Sequence, residues 1–288
     1  MRLLSHTEAL RGDCRRKLLR RYLAHLIPER RRKYDLLDVL EAILFVLRTG
    51  CQWDALDRIE RFPPKSVAYY YFAKWSKAYL FDDLNAMLVK RLRARRRGRN
   101  RARKRERRPG HRRRARQPSA CVVDAQSIKS HVWGRRESRG FDGHKKVNGV
   151  KYHVATDTGG RVLACVTGPA NEHDSVMLAD LLDAVRRAGF TRIRVVYADA
   201  GYRGCGAIAR GRGARLEIVK RSDFAKAKAL SDSGEGRPFV ALPKRWVVER
   251  TFAHLRWTRR CAASHDRLDA AVEAWVLLSS IQHILRLS

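Results

Sequence analysis

The sequence is short of acid. Among 288 residues, 29 Asp and Glu stand against 63 Lys and Arg, a formal charge of +34. A compact chain with that excess repels itself, which disfavours ordinary small-molecule metabolism and calls for a polyanionic partner, nucleic acid above all. No run of 18 apolar residues occurs, so a transmembrane helix is not expected. The opening stretch, MRLLSHTEALRGD, has neither a long apolar core nor a small-residue cleavage site, which argues against secretion. Cysteine is sparse and scattered. The six are Cys14, Cys51, Cys121, Cys165, Cys205 and Cys261, and no two are closer than 37 residues. The absence of C-x-x-C and of Cys/His clusters excludes a zinc module, and free thiols in apolar runs fit a reducing, cytoplasmic compartment. There is no GxxxxGK[ST] loop, so no nucleotide cofactor is expected.

What is present is unevenly placed. From Lys90 to Arg116, 17 of 27 residues are Lys or Arg and only Glu106 is acidic. This run cannot bury a core and reads as a disordered or partly helical linker over residues 90–117. It would serve as an arm on the DNA backbone, because phosphate neutralisation needs no fixed structure. Elsewhere, apolar residues make up 44% of the chain, ample for a folded core.

Residues 1–89 read as helical. Leu36, Leu40, Ile43 and Leu47 recur at helical spacing and Gly50 ends the helix. A second helix follows Pro63-Pro64-Lys65, with Ser66 as N-cap, and runs through Val67, Tyr71 and Trp75. The pair resembles a helix-turn-helix unit, for docking DNA ends or for dimerisation. From residue 118 the rhythm changes. Strands are expected at 119–124, 152–156, 161–167, 193–199 and 216–219, with a hairpin turn at Asp157-Thr158-Gly159-Gly160. Helices are expected at 173–188, 243–261 and 268–287, and residues 222–242 read as a loop or insertion. That order is a mixed α/β sheet compatible with a ribonuclease-H-like fold.

Two acids, Asp124 and Asp199, end apolar strand runs, where α/β sheets collect ligands. Phosphodiester chemistry uses divalent ions held by shared carboxylates, and an all-oxygen donor set suits Mg²⁺, two ions per site, with Mn²⁺ as a substitute. A third carboxylate is expected from a rigid element. On the helix from 243 to 261, Arg245, Glu249 and Arg256 fall on one edge. Spacing alone leaves open whether this is a site edge or a solvated row with an i,i+4 pair. Lys145, Lys146 and Lys151 are candidate phosphate contacts, as are Arg135 and Arg136. Trp133 is a candidate for stacking on a displaced base. Asp157 reads as a turn residue and Asp142 as solvated, and His153 and His173 read as structural.

Several blocks resemble the DDE transposases of bacterial insertion sequences, of the insertion sequence family five type: VVDAQSIKS around Asp124, HVATDTGG, GPANEHDS, YADAGYRG around Asp199, and RWVVERTFAHLRWTRR around Glu249. DLLDVLEAILFVLRTGCQWDAL is similar to that family's N-terminal helical region. The family pattern Tyr-x2-Arg-x3-Glu-x6-Lys is met by Arg245, Glu249 and Arg256, with Arg for Lys and Leu242 at the Tyr place. The resemblance implies that Asp124, Asp199 and Glu249 form a metal-binding triad in a catalytic domain over 118–288. It implies an enzyme that cuts the terminal inverted repeats of its element and joins the 3′-hydroxyl ends to target DNA. Such a protein works as a homo-oligomer, at least a dimer, among the DNA of the bacterial nucleoid. The rival readings are a metal-dependent nuclease of the same fold and a non-catalytic basic DNA-binding protein.

Overall fold

The computed structural model describes residues 13–27, 33–104, 117–131, 139–219 and 245–287. The helical half comes first. Helix α1 is Asp13–Leu26, α2 Leu36–Thr49, α3 Lys65–Lys77 and α4 Leu80–Lys104, with a short 3₁₀ turn at Trp53–Arg58 between α2 and α3. Asp35 caps α2 through its side chain, and Gly50 closes it in the left-handed conformation at φ 71°. Helix α3 begins earlier than a Ser66 cap predicts. Pro64 holds the N-cap position, where its fixed φ suits a helix start. Helix α4 does not stop at the expected linker boundary. It continues to Lys104, so the expected linker is helical in its first part, and of its residues Leu92 is buried and carries the apolar face one step beyond residue 89.

The second half is a mixed sheet. Its strands are β1 Ala120–Ser130, β2 Gly140–Asp142, β3 Val147–Asp157, β4 Val162–Pro169, β5 Val195–Ala198, β6 Arg215–Ile218 and β7 Ala263–Ser264. The central order is β2-β3-β1-β5-β6, with β4 on β3 and β7 on β1. Strands β3 and β4 run antiparallel to their neighbours, while β5, β6 and β7 run parallel. Helix α5 is Leu178–Arg187, α6 Gly206–Gly211, α7 Arg245–Leu255, α8 Arg259–Ala262 and α9 Asp269–Leu287. A central strand leading into antiparallel hairpin strands, then parallel strands reached through helices, is the ribonuclease-H-like arrangement. Helix α5 starts later than expected, so Val176 is exposed in the turns before it. Leu268 likewise precedes α9 and is exposed. The region 222–242 lies outside the described residues.

One core joins the halves. Helix α9 lies between the helical bundle and the sheet, and its Trp275 ring stacks on Phe72 of α3 with centroids 4.2 Å apart. Such a pair contributes about 0.5–1.5 kcal/mol beyond its buried area. Asn85 of α4 donates to the Val162 carbonyl at 2.9 Å and accepts from Ser280 Oγ of α9 at 2.8 Å. Asp157 is more than a turn residue. Fully buried, it accepts from Gly159 N and Arg161 N and pairs with the guanidinium groups of Arg161 and of Arg93 on α4. These cations hold its carboxyl below the usual range despite burial.

Candidate active site

Asp124 sits in mid-strand in β1. Strands β1 and β5 pair through Ala120↔Val195, Cys121↔Val196 and Val122↔Tyr197. The same register, carried two residues further, brings Asp124 level with Asp199, the residue just past β5. Adjacent strands are about 4.8 Å apart, so the sheet sets the two aspartates side by side. Both are half-buried. Asp124 Oδ1 accepts from Ala125 N at 2.8 Å, and Asp199 Oδ1 caps the next turn by accepting from Gly201 N at 2.9 Å.

Cross-strand partners share a face, and side chains alternate between faces. Asp124 is opposite Val154, and Gln126 is opposite Tyr152 on the same face. Tyr152 Oη donates to the Cys261 carbonyl of α8 at 3.3 Å, and Thr167, its partner on β4, bonds Glu273 of α9, so α8 and α9 cover the face to which Asp124 belongs. Helix α7 docks by Val247, Val248, Thr251, Phe252 and Leu255, and Thr251 Oγ1 donates to the Gly160 carbonyl at 3.0 Å. Glu249 stands exposed on α7, but the single helix expected over 243–261 is broken after Leu255, so Arg256, also exposed, lies in the turn before α8 and not on the same helix edge. Arg245 is the first residue of α7, and its side chain lies outside what is described. Among the described residues, no three His, Cys, Asp or Glu side chains converge closely enough to hold a metal ion. The strand register thus aligns Asp124 with Asp199.

The basic candidates separate. Lys145 and Lys146 are exposed in the turn between β2 and β3. Lys151 is buried instead. Its Nζ donates to the Glu172 carbonyl at 2.6 Å and to Asp174 Oδ1 at 2.8 Å, so it serves an internal pair rather than a surface phosphate. Asp142 is buried too, not solvated, and accepts from Ser127 Oγ at 2.6 Å and from the backbone of His144 and Lys145. Trp133, Arg135 and Arg136 lie outside the described residues. His173 is exposed and bonds Ser175. His153 is fully buried, and burial brings its imidazole down to about 4, so it is neutral near pH 7.

Two residues that the sequence does not mark as part of the site, Asp174 and Tyr202, stand beside the Asp199 turn. A Cβ built at Gly201 would lie 3.1 Å from Asp199 Oδ1 and 4.0 Å from Asp174 Oδ2. The buried hydroxyl of Tyr202 sits in the field of Asp174, Asp124 and Asp199, which with burial raises its ionisation well above the ordinary range. Asp174 belongs to the GPANEHDS block and Tyr202 to YADAGYRG. Tyr202 is near Asp199 by sequence, closing the turn that Asp199 caps, whereas the nearness of Asp174 depends on packing that no local spacing reveals.

A ribonuclease-H-like sheet with paired aspartates at the β1–β5 level, and a glutamate-bearing helix docked at the β3–β4 turn, defines a class of nucleic-acid-processing folds. Residues 115–282 match the family described as "Transposase DDE domain", more than half of the chain, and the chain belongs to that family. Residues 17–85 match "Putative transposase of IS4/5 family". A relative from Burkholderia cepacia, "Putative transposase for insertion sequence element IS402", is 34% identical over 146 residues, which cover 49% of this chain and 64% of the relative. The match thus spans less than two thirds of that relative's length.

Proposed function

We propose that this chain is a DNA transposase that cuts the ends of its insertion sequence and joins the freed 3′-hydroxyls to target DNA. The observation that carries the reading is the level register of Asp124 and Asp199 within a sheet matched to the DDE family. Their carboxylates offer hard oxygen donors where adjacent strands hold them together, which fits Mg²⁺. They would hold the ion, with Glu249 completing the set from α7. Bound Mg²⁺, as two ions per site, would supply polarisation of the scissile phosphodiester and neutralisation of developing charge. Arg256, exposed in the turn after α7, would grip a phosphate of the DNA end, and exposed Lys145 and Lys146 would hold the flanking backbone. The helical half would dock the inverted repeats or join two copies, and the working form would be at least a dimer. Among the described residues no helix is long and apolar enough to cross a membrane, and the proposed place of action is the cytoplasm, at the nucleoid.

The test is cleavage and strand transfer of a labelled element end in Mg²⁺. Asp124→Ala, Asp199→Ala and Glu249→Ala should each abolish cleavage while end binding persists, because affinity comes from basic contacts. Near-parental cleavage by any of the three removes that residue from the triad. Cleavage without joining to a target plasmid would point to a nuclease.

A further inference from the structure

The turn between β3 and β4 is tied to both halves of the molecule. Asp157 Oδ1 accepts from Gly159 N at 2.8 Å and Arg161 N at 3.1 Å, and Oδ2 pairs with Arg161 and with Arg93 of α4. The carbonyls of Gly159 and Gly160 meet α7. Arg250 Nη2 donates to the first at 3.2 Å and Thr251 Oγ1 to the second at 3.0 Å. The Thr251 hydroxyl also lies 2.9 Å from the Val247 carbonyl, so one proton is shared between helix and turn. The approach is close. Gly160 has φ 81°, and a Cβ there would lie 3.1 Å from Arg250 Nη2, 3.2 Å from Thr251 Oγ1 and 3.3 Å from Val247 Cγ1. Arg250 and Thr251 directly follow Glu249 in sequence. At about 100° per residue, Val247 and Arg250 border the buried stripe of α7 on one side, and Phe252 and Glu249 border it on the other. Helix α7 packs against β1 as well as β3, and β1 lies on the far side of β3 from β4, with β5 beyond it. Gripped at the β3–β4 turn by its Arg250 flank, α7 carries its Glu249 flank away from that turn, on the side of the aspartate strands.

We propose that the β3–β4 turn sets the position of Glu249. Asp157 shapes the turn, and Arg250 and Thr251 fix α7 upon it. These are positioning residues, acting through Glu249 rather than on the reacting atoms. The inference rests on the reading of Glu249 as a cation ligand.

The experiment combines Mg²⁺ titration of the full chain without DNA, by calorimetry, with cleavage of a labelled element end. Glu249→Gln serves as the reference. Thr251→Val should lower the cleavage rate at saturating DNA roughly 10–100-fold, the scale of a small misplacement, while affinity for the element end holds. It should also raise the Mg²⁺ dissociation constant in the same direction as Glu249→Gln. In the double variant it should add nothing to the loss from Glu249→Gln, because both changes act on one carboxylate. Arg250→Gln should weaken Mg²⁺ binding likewise, and Thr251→Ser, which keeps the hydroxyl, should stay near the parent in both measurements. A purely structural role would lower the melting temperature and leave Mg²⁺ affinity untouched. Loss of affinity in Glu249→Gln with parental affinity in Thr251→Val and Arg250→Gln overturns this inference alone, as does a fully additive loss in the double variant. If Thr251→Val does not fold, parental affinity in Arg250→Gln suffices to overturn it. Absence of binding in the parent, or parental affinity in Glu249→Gln, overturns the ligand reading and this inference with it.

Discussion

Glu273 of α9 carries a carboxyl that burial pushes up to about 7, although it accepts from Thr167 N at 2.9 Å and Thr167 Oγ1 at 3.2 Å. Asp82 on α4, raised to about 6 by burial, adds to that field. The sign follows from proton counting. Between the ordinary value of 4.5 and about 7, folded Glu273 keeps a proton that the unfolded chain releases, so stability falls as pH rises through that window. Glu273→Gln keeps an acceptor for Thr167 and removes the ionisation. It should stabilise the chain by on the order of 1–3 kcal/mol at pH 8 and leave stability at pH 4 nearly unchanged. Urea denaturation at the two pH values checks this.

Arg256 makes a second residue-scale case. It is exposed in the turn that follows α7, so Arg256→Ala should disturb DNA positioning rather than cation binding. Removing a charge-assisted hydrogen bond to phosphate costs on the order of 1.5–3 kcal/mol, roughly one to two decades in cleavage rate. The Mg²⁺ concentration for half activity should hardly move, and Arg256→Lys should keep much of the rate. Cleavage rates across a Mg²⁺ titration decide it. At this scale the sequence is legible where chemistry is local. Asp124 and Asp199 stand out because each follows an apolar strand run. The burial of Lys151 and Asp142 is not legible, because their partners, Asp174 and Ser127, lie across the fold, 23 and 15 residues away.

At the scale of elements, the helix α2 and the hairpin β3–β4 are readable from periodicity and turn chemistry, since Gly50 and Asp157-Thr158-Gly159-Gly160 leave the backbone few alternatives. Strands β2 and β7 are not, being three and two residues long and held by pairing to β3 and β1 rather than by any pattern of their own. The run of α4 past residue 89 fits a partly helical linker, but its end at Lys104 is not readable, because beyond Leu92 the run of arginines carries no apolar pattern. Gly50 allows a direct test of one such element. Its φ is 71°, and a Cβ there would lie 2.6 Å from Arg259 Cβ on α8. Gly50→Ala therefore meets both backbone strain and a clash, and should destabilise by about 1–3 kcal/mol. A lowered melting temperature without change in the circular-dichroism spectrum at low temperature would bear this out.

At the scale of the whole molecule, charge dominates. Nearly half of the +34 excess lies between residues 90 and 116, where 17 cations face one acid. Replacing eight of those arginines by Gln or Ser should weaken binding to every DNA sequence alike. It should also flatten the dependence of log K on log salt, since the slope on duplex DNA shrinks by about 0.9 for every phosphate that is no longer neutralised. Binding measured at four salt concentrations, on element-end and random duplexes, gives both quantities. An unchanged slope would mean that the run touches no phosphate.

The path of α4 has a consequence for how such a chain can diversify. This helix begins in the helical half, threads Asn85 between β4 and α9, and hands Arg93 to the buried Asp157 at the hairpin. Trp275 of α9 closes the other side on Phe72. The two halves share their interior, so neither can be lifted out and replaced by a counterpart from another chain without opening a core. Recombination of ready-made cassettes is thereby closed to it. New recognition must come by point changes on outward faces such as that of Tyr69 and Tyr70, while the frame that carries the aspartates stays as it is.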